Sequence, residues 1–152
     1  IPLEVKMLSS ENMGSFFEKL KQFSKFPVYE KELEQGVKGY YSPKNKEIAI
    51  EKRLLIDAKV AVLLHELTHG LYDDFNYKTD RNLSEVFVES VAYMVADYFG
   101  IDNSMCSFNY ITQYSKGNPK ILVDLGTKIK KCASEFIKEL EEFEVQEEQL
   151  AA

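Results

Sequence analysis

The chain contains only two histidines, and they stand four residues apart with a glutamate directly after the first, as His65-Glu66-Leu67-Thr68-His69. On a helix, positions i and i+4 lie roughly 40° apart, so both rings leave one face and can take a small cation between them, with Glu66 alongside. Neutral imidazole nitrogens are good zinc ligands, and a glutamate that is not itself a ligand can accept a proton from water activated at the metal. His65 and His69 are therefore the candidate metal ligands and Glu66 the candidate catalytic base. Two histidines and 18 glutamates scattered over 152 positions would form this pattern with a probability of about 0.0015, so chance explains it poorly. The plainer alternative is a pair of locally satisfied core histidines. Against it, three ionisable groups side by side on an otherwise apolar helix are costly to bury without compensation.

A catalytic zinc site takes three protein ligands and keeps one position open. No third histidine exists, so the third ligand must be a carboxylate. The segment SEVFVESVAYMVA carries Glu85 and Glu89, which lie four residues apart and so point the same way from a helix. One can bind the metal while the other accepts the free ring N–H of a ligand histidine. Glu85 is taken as the ligand and Glu89 as the orienting residue or alternative ligand. Tyr40, Tyr41, Tyr72, Tyr93 and Arg81 are candidates for a donor that stabilises a transition state. Asp73-Asp74 shows no EF-hand spacing and reads as a solvated loop.

The elements that must hold these residues follow from periodicity. Met13, Phe16, Phe17, Leu20 and Phe23 recur at helical spacing, which predicts an N-terminal helix within 1–26. Gly36, Gly39, the Ser42-Pro43-Lys44-Asn45 turn signal and the alternation Ile48-Ala49-Ile50 predict a small antiparallel sheet within 27–52. The HExxH helix is expected over 53–72, apolar on most of its circumference, with Gly70 at its C-terminal end. After a polar loop, the glutamate-bearing helix occupies 83–100 and closes on Gly100. C-terminal helices fill 107–148: a short one near Phe108 to Tyr114, and a long one from Lys120 whose stripe Leu125, Ile129, Cys132, Ala133, Phe136, Leu140, Phe143 faces the core. The acidic end reads as a fraying tail. The fold class is thus α+β, mainly helical, as a single domain over 1–152.

Composition limits the partners. With 45% hydrophobic and 29% charged residues the chain has the balance of a folded domain. Lys plus Arg total 19 against 25 Asp plus Glu, a net charge of -6, the wrong sign for binding phosphate backbones, so no direct nucleic acid contact is expected. No apolar run approaches the roughly 20 residues that cross a bilayer, and no membrane association is expected. The start, IPLEVKMLSS, has neither an initiating Met nor a signal-peptide pattern, which suggests a domain fused to others in a longer parent chain. Cys106 and Cys132 lack CxxC spacing and read as small apolar groups in a cytoplasmic protein.

HELTHG, the polar loop after it, and the helix EVFVESVAYMVA running to FGID resemble the zincin-like (gluzincin-type) metallopeptidase domain of ArdC-type antirestriction proteins and, more distantly, ImmA/IrrE-type peptidases. Phe108-Asn109-Tyr110-Ile111 and the helix from Lys120 extend the likeness, which covers roughly 39–141; it departs at Gly70 and Val88, where an aromatic residue and an alanine are common. The resemblance implies zinc held by His65, His69 and Glu85, Glu66 as general base, and hydrolysis of a protein or peptide substrate. A single-stranded-DNA-binding region found upstream in ArdC-type proteins has no counterpart here. The competing expectation is a zinc-stabilised interaction module of a mobile-element or phage-type protein. A third is a metal-free helical binding domain.

Overall fold

The computed structural model describes residues 10–76, 78–101 and 119–151. In chain order the elements are α1 (Ser10–Phe23), β1 (Val28–Lys31), β2 (Gly39–Ser42), β3 (Glu47–Glu51), α2 (Ile56–Leu71), α3 (Arg81–Tyr98) and α4 (Pro119–Ala151). The architecture is α+β, with a small three-stranded sheet against a mainly helical body.

Helix α2 sits at the centre because its sequence offers no polar stripe. Val60, Leu63, Leu64 and Leu67 are fully buried, and no residue from Ala58 to Leu71 is exposed. It packs against α1 on one side, α3 on another, and β2 and β3 on a third. From α1 come Met13, Phe16, Phe17 and Leu20; from α3, Val86, Phe87, Val88, Val91 and Val95; from α4, Leu125, Cys132, Ala133, Phe136 and Leu140. These join Ile48 and Ile50 of β3 in one hydrophobic cluster. The expected stripe of α4 therefore faces inward, with Ile129 partly buried and Phe143 edge-on to Phe23. Beyond it the acidic end stays helical to Ala151, which corrects the expectation of a fraying tail: Glu, Gln, Leu and Ala are strong helix formers and continue the helix without core contacts.

The sheet is mixed, not antiparallel. The β2–β3 hairpin is present as expected, its turn closed by the Asn45 N–H donating to Ser42 Oγ at 3.1 Å and by Lys46 in the left-handed region at φ 53°. β1 then lies parallel to β3 on its other side, giving the order β1-β3-β2. This strand was hidden in the sequence because it is an edge: Val28 is half-buried while Tyr29, Glu30 and Lys31 are exposed, so no apolar alternation marks it. Its exit is pinned by Glu51, whose Oε1 accepts the Leu33 N–H at 3.0 Å and whose Oε2 accepts the Arg53 N–H at 2.8 Å.

Two glycines set how closely the sheet approaches α2. A Cβ at Gly39 would lie 2.5 Å from Val62 Cγ1 and 2.9 Å from the Ala49 carbonyl oxygen, so only glycine lets β2 lie against the helix there. Gly70 is not the helix terminator expected of it. It lies inside α2, whose C-cap is Tyr72, and a Cβ would fall 2.7 Å from the Phe26 ring, which packs there on Tyr41 with centroids 5.1 Å apart. Gly100 does follow the end of α3 with φ 75°, as expected. The expected short helix near Phe108 and the thiol of Cys106 lie outside the described residues.

Candidate metal centre

His65 and His69 leave the same face of α2, their ring centroids 4.9 Å apart. Opposite them α3 presents Glu85. Its Oε2 stands 3.4 Å from His65 Nε2 and its Oε1 stands 3.3 Å from His69 Nε2. Both rings thus turn the same nitrogen toward one carboxylate. One ligand atom from each of the three residues lies within 4.8 Å of the others, and all three side chains are partly buried.

The other ring nitrogens are occupied. His65 Nδ1 lies 2.9 Å from Glu89 Oε2, and His69 Nδ1 lies 2.9 Å from Asp73 Oδ2. These two contacts have the length of charge-assisted hydrogen bonds, about 2.7–2.9 Å. The Glu85 contacts are longer than that. Two imidazole nitrogens and a carboxylate, with the histidines oriented by further carboxylates, are a donor set that suits zinc.

Glu66 is buried beside the rings without joining the ligand set. The backbone N–H of Tyr41 favours its ionised form. That N–H is available because of the hairpin register. Glu51 donates to the Lys38 carbonyl at 2.8 Å, so ladder bonds alternate and Tyr40 faces β3 while Tyr41 turns its backbone polar groups outward.

The electrostatics reflect dense packing of charge. Burial and the Glu85 charge raise the Glu66 carboxyl, while the two histidines and the Tyr41 N–H oppose this. Without metal, burial works against a charged His65 ring, but Glu85 and Glu89 prevail and hold it at about 10. His69, likewise opposed by burial, is raised to about 9 by Asp73 and Glu85. Hydrogen bonds from both rings hold Glu85 far below the ordinary carboxylate range.

All five residues singled out around HExxH are therefore brought together: His65, Glu66, His69, Glu85 and Glu89. Of the suggested transition-state donors, Tyr72 and Tyr40 have their own partners. Tyr72 donates its hydroxyl to Glu139 Oε2 at 2.8 Å and packs on Phe136 of α4. Tyr40 lies under Lys31 Nζ, Tyr41 contributes its backbone, and Arg81 and Tyr93 sit on α3. The reading of Asp73-Asp74 as a solvated loop holds only for Asp74, which is exposed and paired with Lys128. Asp73 is built in, with its side chain 7% exposed. Its signal was the repeated step of four, His65 to His69 to Asp73, at the end of the helix.

Comparison of the chain with protein-family models, curated proteins and solved structures gives no match. Among the described residues no helix is long and apolar enough to cross a membrane.

Proposed function

We propose that this chain is a zinc-dependent, zincin-like metallopeptidase that hydrolyses peptide bonds of a protein or peptide substrate. The observation that carries the reading is the two-sided use of the histidines. Both Nε2 atoms converge on Glu85 and both Nδ1 atoms meet an outer carboxylate, while Glu66 stays beside the cluster as an unliganded base.

His65, His69 and Glu85 would hold the zinc, which when bound supplies a Lewis acid that polarises a carbonyl and makes a water acidic enough to react near neutral pH. Glu66 accepts the proton of that water and returns it to the leaving amine. Its burial raises the carboxyl above its ordinary pKa, which favours a base over a ligand. β2 is an edge strand among the described residues. An extended peptide joining it by backbone hydrogen bonds would run past the base. A purely structural zinc site would leave Glu66 without a role, which argues against the interaction-module alternative.

The test begins with elemental analysis of protein purified without added metal, wild type beside His65→Ala. About one zinc per wild-type chain, lost in the variant, supports the site. Cleavage of a mixed peptide library by the wild type and not by Glu66→Gln then supports the activity. A well-folded wild type that takes up no zinc, or cleavage unchanged in Glu66→Gln, overturns the reading.

A further inference from the structure

We infer that Asp73 is a positioning residue that fixes both the tautomer of His69 and the placement of Glu85; this rests on the zinc reading above. His69 stands in the last turn of α2, which ends at Leu71, where a helix is least constrained by its own hydrogen bonds. The chain immediately beyond is tied back. The N–H groups of Tyr72 and Asp73 both donate to the Thr68 carbonyl oxygen, at 3.0 and 3.1 Å. This backbone anchor aims the Asp73 carboxylate at the ring of His69.

Every atom of that carboxylate is used. Oδ1 accepts the Phe75 N–H at 3.0 Å, and Oδ2 accepts the Ser84 hydroxyl while lying 2.9 Å from His69 Nδ1. With Oδ1 accepting the Phe75 N–H and Oδ2 accepting the Ser84 hydroxyl, the carboxylate faces His69 as an acceptor, so Nδ1 carries the proton, and in a neutral ring this leaves the Nε2 lone pair directed at Glu85.

The Ser84 bond adds a second effect. Ser84 is fully buried in the first turn of α3 and immediately precedes Glu85. Asp73 therefore joins a ligand on α2 to the residue beside a ligand on α3. Glu89 does a narrower job for His65, since it lies on the same helix as Glu85 and does not join α3 to the loop after α2.

The experiment measures zinc affinity by chelator competition for wild type, Asp73→Ala, Asp73→Asn and Asp74→Ala, with the folding of each metal-free protein followed by circular dichroism. Ring nitrogen shifts of His69 in the zinc-loaded forms report its tautomer. Asp73→Ala is expected to weaken zinc binding about 10- to 100-fold, with the His69 nitrogen signals displaced. Asp73→Asn, which keeps one oxygen but sets its amide donor against a backbone N–H, is expected to weaken it less but by more than twofold; it carries the test if the alanine variant fails to fold. Asp74→Ala, which removes an exposed charge, should stay within twofold of wild type. Unchanged affinity in the folded Asp73 variants, or an equal loss in Asp74→Ala, overturns this inference while leaving the zinc site standing. A wild type that binds no zinc removes the site and this inference together.

Discussion

Glu89 Oε2 lies 2.9 Å from Nδ1 of the His65 ring, whose Nε2 stands 3.4 Å from Glu85 Oε2. Two carboxylates one helical turn apart thus address opposite nitrogens of one imidazole, and this separates a ligand from an orienting residue. Glu85→Ala should abolish stoichiometric zinc retention. Glu89→Ala should keep the metal but weaken it about 10- to 100-fold. Chelator competition on the two variants decides the assignment, and the reverse order would make Glu89 the ligand.

Removing the base without disturbing the ligands isolates catalysis. Glu66→Gln preserves the shape of a side chain that stands outside the ligand set, so zinc content should match the wild type. Turnover of a cleaved peptide should fall by about 10²- to 10⁴-fold. A turnover equal to wild type would show that another group accepts the proton.

The contact between β2 and α2 tolerates no side chain at Gly39, because one of the atoms in the way is the Ala49 backbone oxygen. Gly39→Ala should destabilise the fold by about 1–3 kcal/mol, the usual cost of overpacking. Urea unfolding measures this, and a neutral result would mean that the strand can move away from the helix.

Phe136 is fully buried on α4, stacked on Phe23 with centroids 5.9 Å apart and on Tyr72 at 4.9 Å. Phe136→Ala should cost about 3–5 kcal/mol through lost burial and a residual cavity. The same denaturation experiment reads it; a loss under about 1 kcal/mol would mean that the surrounding rings collapse into the space.

Acid should weaken the loop that leaves β1. The Arg53 side chain, with the backbone N–H groups of Leu33 and Arg53, holds the Glu51 carboxyl down to about 2 from an ordinary 4.5. A carboxyl depressed in the folded state stabilises it fully above its unfolded pKa and loses that contribution as pH falls through the folded value. The stability deficit of Glu51→Gln should therefore be largest above about pH 5 and shrink toward about pH 2. Denaturant titrations of both proteins across this range test it, and a constant deficit would remove the ionised carboxylate as its source.

The helices were legible because each buries a stripe with a 3.6-residue period, a property of neighbouring residues alone. This holds for α1, α3 and the core-facing part of α4. β1 was not legible, since an exposed strand paired on one side leaves no pattern, and its parallel partner β3 comes only after β2 in the chain. Asp73 was missed for a different reason: the step of four from His69 singles it out from Asp74 only if the helical face continues past the end of α2, and folding is what buries the one and exposes the other.

The sequence by itself determined which residues share a face. The step of four aligns His65 with His69 and Glu85 with Glu89 wherever their helices sit, because backbone hydrogen bonding sets the helical repeat. What only the tertiary structure decided is which groups come together: Glu85 at both Nε2 atoms, Glu89 and Asp73 at the Nδ1 atoms, and the outward N–H of Tyr41 near Glu66. Those pairings depend on how α3 and β2 pack against α2, and that packing is fixed by burial of side chains remote in sequence, by the close approach at Gly39 and by the Asp73–Ser84 bond.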